Sequence, residues 1–316
     1  MAGFTDRLSS LFDNTALVKA SDIDQSTLIT RYGLPESQWL ALSNELNLHY
    51  LDYGDPEHPT LLLVHGLLMD SHVWHKWVQT LSRTHRVIAL DLPGHGLSRA
   101  PSNWTASIDN FVEVLHQAVT KLALGDITLI GHSMGGYIGW RYATAHGASL
   151  HRLGLIAAAG WPDQRRQAKN AHHFMSFAGS TIGRTVLRYA NGDRFVSEGM
   201  AATFAPACAP EAIITRYQDM LHGPGHREVL LSLAHEWADN PAAEAHQLGR
   251  LTCPVLIMGG DCDRVIPAEH AYRFDQAFAQ NRFHLYPRCG HVPMLSCPEK
   301  ALEDILSWLA VTPSHA

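Results

Sequence analysis

Gly131-His132-Ser133-Met134-Gly135 is the stretch that decides how the rest of the chain is read. Before it, Asp126-Ile127-Thr128-Leu129-Ile130 is an apolar run of strand length; after it, Tyr137, Ile138, Trp140 and Tyr142 continue in a helical pattern. A strand that turns straight into a helix brings two backbones together, and glycines at 131 and 135 leave the room that side chains would fill. Ser133 then stands at the start of a helix with its hydroxyl exposed.

A hydroxyl is a weak nucleophile near neutral pH, so chemistry at Ser133 requires a base, a carboxylate to orient that base, and donors for an oxyanion. The later part of the chain supplies the first two. Pro254-Val255-Leu256-Ile257-Met258-Gly259-Gly260 reads as a second buried strand, and Asp261-Cys262-Asp263-Arg264-Val265-Ile266-Pro267 sets two carboxylates at its end. Arg282-Phe283-His284-Leu285-Tyr286-Pro287 makes a last short strand, and Cys289-Gly290-His291-Val292-Pro293 puts a histidine in the loop after it. The chain order is Ser, Asp, His.

Together these segments resemble the α/β-hydrolase superfamily over about residues 45 to 310, with a less recognisable middle. Four matches carry the resemblance. They are His65-Gly66 after Leu61-Leu62-Leu63-Val64; Asp91-Leu92-Pro93-Gly94-His95-Gly96-Leu97-Ser98 after a strand; the Gly-His-Ser-Met-Gly-Gly turn; and the Gly-x-x-Asp-x-x-x-Pro and Gly-His segments near the end. The resemblance implies a capped serine hydrolase of the esterase or lipase type, with Ser133 as nucleophile, Asp263 as acid and His291 as base. Asp263 is preferred to Asp261 because the superfamily places its acid four residues before a proline, here Pro267. His291 would take the Ser133 proton and return it to the leaving group, while Asp263 holds the imidazole tautomer. The oxyanion donors implied are the backbone amides of Leu67 and Met134. No metal or cofactor is required. His65 and Asp91 are expected to hold loops at the carboxyl edge of the sheet, and His95 and His132 to be structural as well.

Composition sets the partner classes. A net charge of −6, with no basic run or aromatic-interleaved basic patch, argues against nucleic acid; 46% hydrophobic and 17% charged residues are ordinary for a globular enzyme. The 21 histidines are scattered without metal spacing, and the adjacent pair His172-His173 would point different ways on a helix. Five cysteines, at 208, 253, 262, 289 and 297, form no C-x-x-C pair and fit a reduced, cytoplasmic setting. Cys262 and Cys289 flank the acid and base segments and could come close in space, but are read as small buried thiols. No signal peptide and no transmembrane segment is expected, since no apolar run reaches the ~18 residues a span needs.

Strands are expected at about 46–53, 60–65, 86–91, 126–131, 151–158, 254–259 and 282–287, with helical stretches between most of them. That alternation predicts an α/β fold with a mostly parallel central sheet and helices on both faces. Residues 1–44 form an N-terminal extension, in which Phe4, Leu8, Leu11 and Phe12 recur at helical spacing. Such a helix would pack on the protein's own surface, on a second copy in a homodimer, or peripherally on a membrane. The core comprises 45–160 and 246–316. The intervening segment is too long for a crossover, and the resemblance reads 161–245 as a helical cap, with His222-Gly223-Pro224-Gly225-His226 as a turn between its helices.

A cap sets substrate choice, so Trp161, Phe174, Met175, Phe177 and Trp237 are the substrate-binding candidates, some of them serving as cap core. The leading expectation is a small-molecule carboxylic ester with mostly apolar groups, cleaved through an acyl-enzyme on Ser133. The alternative is hydrolysis of a carbon–carbon bond in a vinylogous diketone with the same triad; Arg165, Arg166, Arg184, Arg188 and Arg194 leave room for the cap arginine such substrates need. A ligand-sensing receptor that retains the triad is the expectation outside the enzymes. Dehalogenase and epoxide hydrolase chemistry would need a carboxylate where Ser133 stands.

Overall fold

The apolar runs read from the sequence are continuous rather than alternating because the strands they form are covered on both faces. In the computed structural model, which describes residues 22–42, 46–101, 103–147, 150–161, 180, 183, 191–236 and 242–311, these are β3 (Thr60–Val64), β4 (Arg86–Leu90), β5 (Ile127–His132), β6 (Leu150–Ile156) and β7 (Val255–Gly260). With β1 (Ser37–Ala41), β2 (Asn47–Tyr53) and β8 (Asn281–Tyr286) they make an eight-stranded sheet of order β1-β2-β4-β3-β5-β6-β7-β8. Only the β1–β2 and β2–β4 pairings are antiparallel.

Successive strand residues point to opposite faces, and two apolar cores follow from that period. Leu62, Val64, Ile88 and Leu90 face α3 (Ile108–Lys121) and α4 (Met134–His146), with Phe274 of α9 (Ala268–Ala277) in the same cluster. Leu61, Leu63, Val87 and Ala89 face α2 (His75–Leu81) and α11 (Pro298–Leu309), where Trp77 and Trp308 are buried. Both faces are therefore covered, as the alternation of elements predicts.

The sheet begins earlier than residue 46. β1 buries none of its five residues fully, its Trp39 is 43% exposed, and its place comes from main-chain pairing with β2 in the register Trp39↔His49. An edge strand held this way leaves little trace in hydrophobic periodicity. Before it lies α1 (Gln25–Tyr32), capped by the Asp24 carboxylate on the Thr27 amide. The Phe4, Leu8, Leu11 and Phe12 helix lies outside the described residues.

Between β6 and β7 the chain leaves the sheet and forms α5 (Asp193–Phe204), α6 (Glu211–Leu221), α7 (His226–Glu236) and the short α8 (Ala245–Leu248). The turn expected at His222–His226 does separate α6 from α7. These helices sit on the loops at the carboxyl edge of the sheet: a Cβ on Gly94, after β4, would meet Val229 of α7, and one on Gly290, after β8, would lie 2.2 Å from the Ala205 carbonyl. Among the described residues no helix is long and apolar enough to cross a membrane.

Candidate active site

β5 ends at His132 and α4 begins at Met134, so Ser133 alone makes the turn. It does so with φ 54° and ψ −115°, a conformation that costs a residue with a side chain on the order of 1–3 kcal/mol. Three main-chain bonds hold it there. The Ser133 amide donates to the Ile156 carbonyl at 2.9 Å, and the Ser133 carbonyl accepts from Tyr137 at 3.0 Å and Ala159 at 3.1 Å. The flanking glycines serve close approach: a Cβ on Gly131 would lie 2.2 Å from the Gly135 carbonyl oxygen, and one on Gly135 2.2 Å from that of Val64. Gly66 is pressed against the same turn, since its Cβ would come within 2.9 Å of Ser133 Cβ.

His291 is fixed from three sides. Its amide donates to the Thr203 carbonyl of α5 at 2.9 Å, its carbonyl accepts from His132 Nε2 at 2.8 Å, and its Nδ1 lies 2.7 Å from Asp263 Oδ2. A carboxylate can only accept there, so Nδ1 carries the hydrogen and Nε2 is left with a lone pair. Asp263 is itself oriented, with Oδ1 accepting from the Val265 and Ile266 amides at 2.7 and 2.9 Å. Asp261 turns elsewhere, its Oδ1 facing the Cys289 amide at 3.4 Å. Of the two aspartates, the tertiary structure brings Asp263 to His291.

Ser133 and His291 are both buried, at 8% and 3% exposure, yet neither the Ser133 hydroxyl nor His291 Nε2 is hydrogen-bonded to another described residue. The Leu67 and Met134 amides likewise have no acceptor among the described residues. Met134 opens α4, where backbone N–H groups point out of the helix end and favour negative charge. The site thus presents a hydroxyl, an oriented imidazole and two free amide donors around one strained turn.

The surrounding histidines are neutral braces. Burial, reinforced by the neighbouring His291, holds His132 well below its ordinary pKa. Burial also lowers His65, whose Nδ1 donates to the Gly66 carbonyl at 2.7 Å and whose Nε2 accepts from the Leu92 amide at 3.0 Å. That ring ties the loop after β3 to the loop after β4. His95 is pushed down to about 3 by burial and by His65 beside it, and its Nδ1 bonds the Pro93 carbonyl. Asp91 accepts from the Ser71 and Leu97 amides at 2.6 and 2.8 Å.

Several residues that build this edge carry no sequence signal. His49 of β2 places Nδ1 2.7 Å from Asp91 Oδ2 and Nε2 2.8 Å from Ser37 Oγ of β1. Arg216 of α6 forms a 2.6 Å ion pair with fully buried Asp70 in the loop after β3, and its guanidinium stacks 4.7 Å over Tyr32 of α1. These links join residues far apart in the chain, so no motif announces them.

Trp161 is buried against Phe274 of α9, ring centroids 5.3 Å apart, in the cluster under α4. Phe174, Met175, Phe177 and Trp237 lie outside the described residues. A cavity of about 20 Å³ is lined by Leu68 and Met69 after β3, Gly94 and His95 after β4, Tyr217 of α6 and Leu230 of α7. It has room for one water and touches neither Ser133 nor His291, which makes it a gap between layers.

Residues 59–296 match the model of the alpha/beta hydrolase fold. The chain belongs to that family. This alpha/beta hydrolase is 28% identical over 257 residues to a 2-hydroxy-6-oxo-2,4-heptadienoate hydrolase of Pseudomonas putida, covering 80% of the chain and 88% of the relative. It is also 28% identical to a pimeloyl-[acyl-carrier protein] methyl ester esterase of Nitrosomonas europaea, covering 77% and 92% of the two chains. Among solved structures, a thermophilic esterase from Thermogutta terrifontis superposes with a TM-score of 0.71 at 25% identity, covering 86% and 97%. Relatives of both the hydrolase and the esterase kind support a hydrolytic enzyme; they do not agree on a substrate.

Proposed function

We propose that this protein is a serine hydrolase of carboxylic esters, with Ser133 as nucleophile, His291 as general base and Asp263 as the carboxylate that orients it. The observation that carries the reading is the 2.7 Å contact from His291 Nδ1 to Asp263 Oδ2, which leaves Nε2 as a lone-pair base in a loop packed on the Ser133 turn. Ser133 Oγ attacks the ester carbonyl as its proton passes to His291 Nε2; the imidazolium is stabilised by Asp263 and then protonates the departing alkoxide. Water, deprotonated by the same nitrogen, attacks the acyl-enzyme and regenerates Ser133.

The oxyanion formed in both steps is assigned to the Leu67 and Met134 amides, helped by the N-terminus of α4. Helices α5–α7 act as a cap. Their part in the chemistry is indirect, since the Thr203 carbonyl of α5 holds the His291 amide at 2.9 Å. The substrate is a small molecule, and a mostly apolar acyl or alcohol group fits best. Similarity to the heptadienoate hydrolase favours carbon–carbon hydrolysis of a vinylogous diketone as the second reading.

The test is steady-state hydrolysis of p-nitrophenyl esters of increasing acyl length beside a vinylogous diketone, with wild type and Ser133→Ala. The expected result is turnover of the esters with kcat/KM above that of the diketone, falling at least ~10⁴-fold in the variant. Preferred cleavage of the diketone would select the second reading. A Ser133→Ala enzyme within tenfold of wild type would overturn both.

A further inference from the structure

Cys289 and Cys297 bracket the segment that carries His291, and their Sγ atoms lie 3.0 Å apart. The approach is built by the chain between them. The short helix α10 (Pro293–Ser296) turns the backbone round, with Leu295 donating to the Val292 carbonyl at 2.9 Å and Cys297 to that of Pro293 at 3.0 Å. Cys289 is anchored at the other end, its carbonyl accepting from the Cys262 amide at 2.9 Å. Neither sulfur has a role in the hydrolytic steps.

The two thiols are chemically unequal. Cys289 is 2% exposed, whereas Cys297 is half-buried and stands immediately before the twelve-residue α11, without a side-chain bond to its first turn. The hydrogen bond between them lowers the Cys297 thiol and, together with burial, raises that of Cys289. A helix N-terminus favours a thiolate in the same direction. Cys262 has its main chain beside Cys289, but its thiol is directed at Asp261.

We propose that Cys289 and Cys297 form a redox-active dithiol which hydrogen peroxide converts to a disulfide, covalently closing the segment around His291. The Cys297 thiolate attacks one peroxide oxygen; the O–O bond breaks and hydroxide leaves, taking a proton to become water, with Cys297 now a sulfenic acid. The Cys289 sulfur then displaces the sulfenic hydroxyl: the S–S bond forms, the S–O bond breaks, and the thiol proton leaves with the hydroxyl as a second water. Two thiols are oxidised and one peroxide is reduced to two waters. Reaching a bond of about 2.05 Å requires an approach of roughly 1 Å. The His291 amide and carbonyl keep their partners on Thr203 and His132, so the disulfide pins the base segment in place and hydrolysis persists.

The experiment needs no substrate. Arg288 and Lys300 flank the pair, so trypsin releases both cysteines in one peptide, Cys289–Lys300. Full-length protein is treated with hydrogen peroxide, blocked with N-ethylmaleimide under denaturing conditions and digested. The expected product is that peptide without maleimide and about 2 Da lighter than its reduced form, with two adducts restored by prior dithiothreitol. The wild-type melting midpoint should rise by roughly 2–6 °C on oxidation, and that of Cys289→Ala or Cys297→Ser should not. Two maleimides on the oxidised peptide would overturn the proposal. So would accumulation of Cys297 sulfinic acid without a disulfide, or a cross-link to the Cys262 peptide.

Discussion

His49–Asp91 and His291–Asp263 are the same interaction by distance and burial: Nδ1 lies 2.7 Å from a carboxylate oxygen in each, with side chains 2–3% exposed. Both even have a serine nearby. Ser37 Oγ lies 2.8 Å from His49 Nε2, which completes a serine, histidine and aspartate in line at one edge of the sheet. What separates the pairs is how much bonding capacity remains. Asp91 is saturated by two amides and the ring, His49 has both nitrogens engaged, and Ser37 Oγ also accepts from the Leu34 amide at 3.0 Å. Burial alone would raise the Asp91 carboxyl, but His49, His65 and the Leu97 amide outweigh it and hold it below the ordinary carboxylate range. His291 keeps Nε2 unspent, its ring 4.7 Å from that of His132, the residue before the strained Ser133 turn. The proposed catalytic set is told from the structural one by what it leaves unsatisfied, whereas the His49–Asp91 set closes every bond.

Exchanging the two carboxylates for amides should break the resemblance most sharply. Asp263→Asn is expected to lower kcat by on the order of 10⁴, because an amide facing Nδ1 selects the wrong imidazole tautomer, while Asp261→Asn changes little. Ester turnover by both variants decides it, and the reverse ranking would move the acid to Asp261. Asp91→Asn should instead act on the fold. Its amide would face donors from Ser71, Leu97 and His49, at an expected cost of about 3–5 kcal/mol in denaturant unfolding. If that variant unfolded like wild type, Asp91 would not brace the loops.

Acid should separate the two regions more gently. His65, His132 and His226 are held below their ordinary range, His95 near 3 and His72 near 4, mainly by burial. The unfolded chain takes up protons at these rings near pH 6.5 while the native chain does not, so unfolding gains protons as pH falls. Stability is therefore full above pH 6.5 and is lost progressively toward the native values, by up to ~1.4 kcal/mol per pH unit for each fully buried ring. The melting midpoint should fall continuously from pH 6.5 to 4.5. A flat profile would mean that these rings accept protons without cost.

Much of the candidate site was legible because its signals are local. Gly131 and Gly135 answer a steric demand within five residues, and the apolar runs of β3 to β7 reflect burial on both faces of each strand. β1 escaped because its short Trp39-Leu40-Ala41 run is mostly exposed at the sheet edge and is held by main-chain pairing with β2. The many histidines looked scattered in the sequence; in space, His65, His95, His132 and His226 are buried rings kept neutral, His72 is half-buried, and His49, His65 and His132 each tie one segment to another.

The amino-acid sequence by itself determined the turn at Ser133, the near-continuous burial of the parallel strands and the chain order of the candidate serine, aspartate and histidine, since each depends on sterics or periodicity within a short window. Only the tertiary structure decided which aspartate meets His291, that His132 holds the His291 carbonyl across 159 residues, that Arg216 reaches Asp70, and that two cysteines flanking His291 face one another. Those contacts join segments distant in the chain, and their partners are chosen by the geometry of the sheet edge on which the loops converge.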